Sequence, residues 1–225
     1  CPNDITTTTD SESATAVVTY SVTATDNYAT GLTPTSSDAN SGDAFAKGTT
    51  TVTYSVSDGR NTATCSFDVT VNDEEKPILT GCPSSVAVGT DSNLATGTAT
   101  WDAITASDNV DGSVTVTLSH ASGSSFALGP TTVTATAKDA EDNTATCSFT
   151  VTVTDDEAPT YGSTCPANVA VGTDAGLATG TATWTAPTAT DNVGATSSSY
   201  YASGDSFPIG STTVTYTASD GTLTD

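Results

Sequence analysis

Thr51-Val52-Thr53-Tyr54-Ser55-Val56-Ser57 alternates hydroxylated and apolar residues at period two. Successive side chains of a strand point to opposite faces, so Val52, Tyr54 and Val56 share a core face while Thr and Ser line the wet one. The stretch returns as Thr131-Thr132-Val133-Thr134-Ala135-Thr136-Ala137-Lys138-Asp139 and again as Thr212-Thr213-Val214-Thr215-Tyr216-Thr217-Ala218-Ser219-Asp220. Working outward, Cys1-Pro2, Cys82-Pro83 and Cys165-Pro166 open three aligned segments. Tyr20, Trp101 and Trp184 align, then Asp26-Asn27, Asp108-Asn109 and Asp191-Asn192, then Phe45 to Gly48, Phe126 to Gly129 and Phe207 to Gly210. The first two segments close with Asn-Thr-Ala-Thr-Cys-Ser-Phe, through Cys65 and Cys147.

Each unit is therefore about 80 residues and predicts six or seven short strands between Gly, Asn, Asp and Ser turns, without a 3.6-period helix. That pattern reads as all-β: tandem immunoglobulin-like, fibronectin III-like β-sandwiches strung as an extended rod, with domains at 1–77, 78–159 and 160–225. Two short acidic linkers, Asn72 to Pro77 and Thr154 to Pro159, join them. The third unit stops at Asp225, where alignment places its closing strand and partner cysteine, so it reads as truncated, with Cys165 unmated. The edge around Val214 and Tyr216 then calls for completion, by continuation of the same polypeptide or by a strand from another chain.

Composition narrows the function. The 225 residues carry 26 acidic and four basic side chains, a net charge of -22. Lys47, Arg60, Lys76 and Lys138 cannot form the basic stripe that neutralises phosphates, which makes nucleic acid and anionic membrane surfaces poor partners and favours cations. Apolar content is 35%, and Thr with Ser make up about a third of the chain. No apolar run approaches a membrane span of ~18 residues, so membrane insertion is not expected. The chain opens with neither Met nor a signal peptide and reads as a processed or excised piece.

The Cys-Pro opening, the Trp before a Thr/Ser-Asp-Asn loop, the Phe-x-x-Gly turn, the TTVT strand, the closing Asn-x-Ala-x-Cys-Ser-Phe strand and the Asp-x-Glu-x-Pro linker together resemble the hyalin repeat (HYR) family. The resemblance spans essentially the whole chain. Ala135 replaces the Tyr of the middle strand, Tyr20 stands where the other units have Trp, and the third unit lacks its closing strand. The resemblance implies immunoglobulin-like extracellular modules of adhesive and matrix proteins, without catalytic activity of their own.

On the closing strands, Cys65 is in phase with Phe67, Val69 and Val71, and Cys147 with Phe149, Val151 and Val153, so both sulfurs face inward. Their expected mates are Cys1 and Cys82, each closing a long loop in an oxidising compartment. A lipid-modified Cys1 is the rival reading, weighed against by Cys82 and Cys165 holding the same place in mid-chain. Carboxylates gather at the junctions: Asp73 and Glu75 of the first linker with Asp108, Asn109 and Asp139, and Asp155 and Glu157 of the second with Asp191, Asn192 and Asp220. Hard oxygen ligands without His or Cys suit Ca²⁺, bound at the ~10⁻⁴ to 10⁻³ M typical of extracellular modules. Asp-Asn and Asp-Gly also serve as plain turn residues, and acids as a solvated surface. Lys76 and Lys138 are the nearby cations.

No Asn-x-Ser/Thr sequon occurs, which excludes N-linked sugar; outward Thr and Ser offer O-linked acceptors, though Thr is also simply a good exposed strand residue. The lone His120 has no aligned counterpart and suits an exposed strand end better than a general base. No catalytic residues are assigned. The chain therefore reads as an extracellular or cell-surface structural and adhesive segment of a long protein or filament, partnered by other copies, neighbouring repeats or a surface or matrix ligand, with Ca-stiffened junctions. The alternative is an accessory array beside a catalytic or carbohydrate-binding domain outside this segment.

Overall fold

The Thr-alternating stretch is the strand Gly48–Ser57, and it pairs antiparallel with Thr62–Asn72 from Gly48↔Val71 to Ser57↔Thr62. Asp58 makes the reversal between them, its Oδ1 accepting from the Arg60 and Asn61 amides at 2.7 Å each, while Gly59 takes the positive φ of 92° that a β-carbon would resist. In the computed structural model, which describes residues 1–162 and 164–224, strands and turns account for all regular structure and no helix occurs among the described residues. No helix long and apolar enough to cross a membrane is found among those residues.

The chain divides into two compact units. One comprises Cys1–Cys82, Ala103–Ser119 and Thr134–Ser148; the other comprises Pro83–Asp102, His120–Val133 and the chain from Phe149 onward. This division falls inside the second sequence repeat rather than at either acidic linker.

In the first unit, the sheet order is Ile5–Thr8, Thr62–Asn72, Gly48–Ser57, Thr35–Ser36, and a second pair is formed by Thr15–Val17 and Ala44–Ala46. Between them lies one core of Ala16, Val18, Phe45, Val52, Tyr54, Phe67, Val69 and Val71. This is the β-sandwich the alternation predicts. Val52, Val69 and Val71 are at most 1% exposed, each contributing about 1.5 to 2 kcal/mol of burial. Tyr20 closes the core from the rim, edge-on to Phe67 at 4.9 Å.

The opening strand runs parallel to the closing one, with Ile5 opposite Val69. Cys1 and Cys65 stand equally far before those two residues, so the parallel register carries them together, and they are disulfide-bonded with Cα atoms 5.9 Å apart. In the second repeat Val86 opposes Val151, and Cys82, at the same offset, is bonded to Cys147 with Cα atoms 6.6 Å apart. Cys165 is a free, exposed cysteine.

In the second unit, Thr96–Ala99 pairs with Ser124–Ala127, and Thr179–Thr181 with Ser206–Pro208. Trp101 packs on Phe149 at 5.1 Å and on Phe126 at 6.1 Å, and Trp184 on Phe207 at 6.0 Å while its Nε1 donates to the Tyr216 hydroxyl at 2.6 Å. The Trp side chains are half-buried against these rings. His120 is exposed and tilts over Phe126 at 5.3 Å, just outside the strands.

The third TTVT stretch corrects the strand expected from Thr212 to Asp220: only Tyr216–Ser219 is extended and paired, with Thr196–Ser199. In the first repeat the corresponding residues hydrogen-bond to the closing strand. The third stretch has no such neighbour among the described residues, and a ladder needs two strands. Val214 and Tyr216 are accordingly half-buried rather than buried.

Candidate functional site

Each repeat places an Asp after its TTVT strand because the following turn needs an acceptor. Asp139 Oδ1 takes the Glu141 amide at 3.0 Å and the Asn143 amide at 2.7 Å; Asp220 Oδ1 takes the Thr222 amide at 2.6 Å and the Leu223 amide at 2.7 Å. The Asp-Asn loops work likewise. Asp108 Oδ1 takes the Val110 and Asp111 amides, and Asp191 Oδ2 the Val193 and Gly194 amides. The turn reading of these acids is therefore correct as far as one oxygen goes, and for Asp139 as far as both, its Oδ2 accepting from Asn143 Nδ2 at 2.8 Å. In Asp108 and Asp220 the second oxygen, Oδ2, is buried without a hydrogen-bond partner among the described residues.

Those turns converge with the linkers. In the first unit, Asp73, Asp108 and Asp139 bring one carboxylate oxygen each to within 4.8 Å of one another, and Asp111, Asp139 and Glu141 form an overlapping group on the outer side. In the second unit Asp155, Asp191 and Asp220 meet the same condition. Asp73 is 4% exposed and Asp139 7%. Burial, and after it the charges of Asp108 and Asp139, push the Asp73 carboxyl above the usual carboxylate range, against the pull of the Glu75 amide on its Oδ1. At Asp220 the Leu223 and Thr222 amides hold the carboxyl below that range.

The two asparagines decide how the remaining oxygens point. Asn109 Nδ2 donates to the Ser13 carbonyl at 2.6 Å, and Asn192 Nδ2 donates to the Leu94 carbonyl at 2.9 Å and to Thr90 Oγ1 at 3.0 Å. A carbonyl accepts only, so the NH₂ groups are fixed there and the amide oxygens face the other way. Both Oδ1 atoms are buried without a partner among the described residues, as is Asp73 Oδ2. These are acceptors beside carboxylates, an arrangement that costs free energy unless a cation is shared among them.

Glu75 and Glu157 do something else. Glu75 accepts from the Glu12 amide at 3.1 and 3.3 Å, and Glu157 from the Asn93 amide at 2.8 Å and Ser92 Oγ at 3.3 Å. Glu12 and Asn93 are aligned positions, both with φ near 60°. The structure thus takes the two glutamates away from the acid groups and uses them to tie linker to preceding loop. Of the ten residues expected as ligands, it gathers the six aspartates, orients Asn109 and Asn192, and turns Glu75 and Glu157 aside.

Sequence reasoning passed over Glu141 and Lys47. The Lys47 ammonium is ion-paired with Glu141, whereas Lys138 pairs with Asp142 at 2.7 Å in a more exposed setting. Glu141 is the main reason Lys47 is held above the ordinary lysine range, with Asp111 and Asp73 adding to it. The two donor types, carboxylate and amide carbonyl, are hard oxygens and fit a calcium-sized cation.

Comparison with known proteins supplies the family. The HYR domain model matches three times in succession, at residues 1–71, 72–153 and 154–223. Hyalin of Strongylocentrotus purpuratus is 35% identical over 193 residues, covering 82% of this chain, and hyalin of Lytechinus variegatus is 32% identical over 206 residues, covering 88%. The chain spans 16% and 38% of the length of those two relatives. Among solved structures, the extracellular cadherin domains 1-4 of protocadherin gamma B7 align over the whole chain and 73% of that protein at 15% identity and a TM-score of 0.34, too loose to carry an inference. Two disulfides in sandwiches of this size belong to an oxidising compartment, and with the hyalin relationship they place the chain outside the cell. The chain belongs to the HYR domain family.

Proposed function

We propose that this chain is an adhesive, load-bearing run of HYR modules, divided at 1–77, 78–159 and 160–225, whose linkers are tied to their neighbouring loops by bound Ca²⁺. Asp73, Asp108 and Asp139 with Asn109 hold one ion; Asp155, Asp191 and Asp220 with Asn192 hold the other. The observation that carries this is the set of orphaned buried oxygens, Asp73 Oδ2, Asp108 Oδ2 and Asn109 Oδ1 in one group, Asn192 Oδ1 and Asp220 Oδ2 in the other. Two groups built from different stretches of sequence repeat the same donors, and in both the Asn oxygen and at least one aspartate Oδ2 are left unpartnered among the described residues. A structural acid needs only its turn, which one oxygen already satisfies at Asp108 and Asp220.

The function is mechanical rather than catalytic. Without an ion the acids repel and the linker is held by hydrogen bonds only, the Glu75 tie with the Asn143 Nδ2 bond to the Asp73 carbonyl, or the Glu157 tie with the Thr90 bonds to Asp156; with it, linker and loops share one ligand set. Neighbouring repeats and further copies of the same protein are the partners this reading calls for, and O-linked sugar on exposed Thr and Ser is compatible with it.

Isothermal titration of the chain with CaCl₂ after chelator treatment tests the proposal. Two sites with dissociation constants of about 10⁻⁴ to 10⁻³ M are expected, one lost in Asp108→Asn and the other in Asp191→Asn. No uptake up to ten times that concentration would remove the ion from the account.

A further inference from the structure

The two acid groups are not equivalent, and the difference is a lysine. Lys47 precedes Gly48 at the start of a strand in the first repeat, and its ammonium reaches Glu141, in the turn after the TTVT strand of the second repeat. Glu141 belongs to the outer group with Asp111 and Asp139, and Asp139 is shared with the inner group of Asp73 and Asp108. The side chains of Lys47 and Glu141 are 28% and 31% exposed, so the pair is neither buried nor freely solvated. Asp111 and Asp73 act on the ammonium as well. A positive charge therefore already stands at the rim of the first group.

The second group carries none at the aligned positions. The position aligned with Lys47 is Leu128, Glu141 aligns with Thr222, Asp111 with Gly194, Lys138 with Ser219 and Lys76 with Ala158. Of the two remaining lysines near the first group, Lys138 is 58% exposed and turned to Asp142, and Lys76 lies on the linker beside Glu75.

We infer that Lys47 is an internal counter-ion of the first acid group, neutralising its rim in the ion-free state and opposing the entry of a divalent cation. The inference rests on the reading of these groups as cation sites and names the residue that sets the affinity of one of them. A unit charge a few ångströms from a bound divalent ion at a half-exposed site weakens its binding by about tenfold. The effect is electrostatic, so it follows the charge of residue 47 and not its shape, and it shrinks as ionic strength rises.

The test uses the whole chain carrying Asp191→Asn, which leaves the first group as the site being read. Calcium titrations at low ionic strength compare this background with the added variants Lys47→Leu, the residue the second repeat carries, and Lys47→Arg. Lys47→Leu should bind calcium about tenfold more tightly and Lys47→Arg like the background, with the gap closing in added KCl. Equal or weaker binding by Lys47→Leu, with the background still binding, overturns the inference and makes Lys47 a structural clasp. Absence of calcium uptake by both the background and the unsubstituted chain overturns the underlying cation reading instead.

Discussion

Asp73 is where one side chain carries opposite consequences in two states. It is 4% exposed, and among the described residues its Oδ1 takes only the Glu75 amide and its Oδ2 has no partner, while two further carboxylates lie within reach. Without an ion, this is a charge held where it is poorly solvated; with one, it is a ligand. Asp73→Asn keeps the Oδ1 acceptor and deletes the charge. The ion-free chain should therefore become more stable by about 1 to 3 kcal/mol, while the stabilisation that CaCl₂ gives the unsubstituted chain is lost or much reduced. Thermal melts in chelator and in millimolar calcium read both signs. A variant less stable in chelator would mean that Asp73 serves the fold and not the ion. Asn109 and Asn192 show the same division of labour, their NH₂ groups spent on the Ser13 and Leu94 carbonyls and their oxygens left for the site.

At the level of strands and crosslinks, small residues and sulfurs set what the Thr-rich pattern alone leaves loose. An added β-carbon at Gly97 would lie 2.3 Å from the Gly89 carbonyl oxygen and 3.0 Å from Val153 Cγ1, and one at Gly180 would meet the Gly172 oxygen at 2.3 Å. Backbone oxygen has little room to yield, so Gly97→Ala should cost about 2 to 3 kcal/mol by pushing Thr96–Ala99, whose partner strand is Ser124–Ala127, away from Ser85–Gly89 and Val153. Ser125→Ala, an exposed change on that partner strand, should stay within about 0.5 kcal/mol. Urea titrations distinguish the two. The disulfides act through the unfolded chain: Cys1 and Cys65 are 64 residues apart, and the double variant Cys1→Ala, Cys65→Ala should lose about 4 kcal/mol in the chain-entropy account. A loss under 1 kcal/mol would mean that the parallel pairing of Ile5–Thr8 with the closing strand suffices by itself.

For the molecule as a whole, the consequence of ion binding falls on the two acidic linkers, the stretches that join one repeat to the next. A Glu-specific protease should cut at Glu74, Glu75 and Glu157 several-fold more slowly in millimolar calcium than in chelator, with Asp108→Asn releasing protection at the first linker only and Asp191→Asn at the second only. Equal rates with and without calcium would contradict ion-tied linkers. The repeats, the strand alternation and the two disulfides were legible in the sequence because each rests on local chemistry: period two sets the face, and aligned cysteines share one register. The membership of the acid groups was half legible. Asp73, Asp108 and Asp139 stand at aligned turn and linker positions, so repetition alone marks them, but nothing along the chain tells that Glu75 spends its carboxylate on the Glu12 amide or that Lys47, 94 positions before Glu141, pairs with it. The third TTVT stretch went the same way, since its pattern demands a strand and only a neighbouring strand can grant the ladder. Sequence determines which side chains carry oxygen, charge or sulfur and which face they take. Which oxygens are left over after the backbone amides have been satisfied is decided only when distant turns are packed together, because hydrogen bonds and ion pairs act over a few ångströms of space and take no account of separation along the chain.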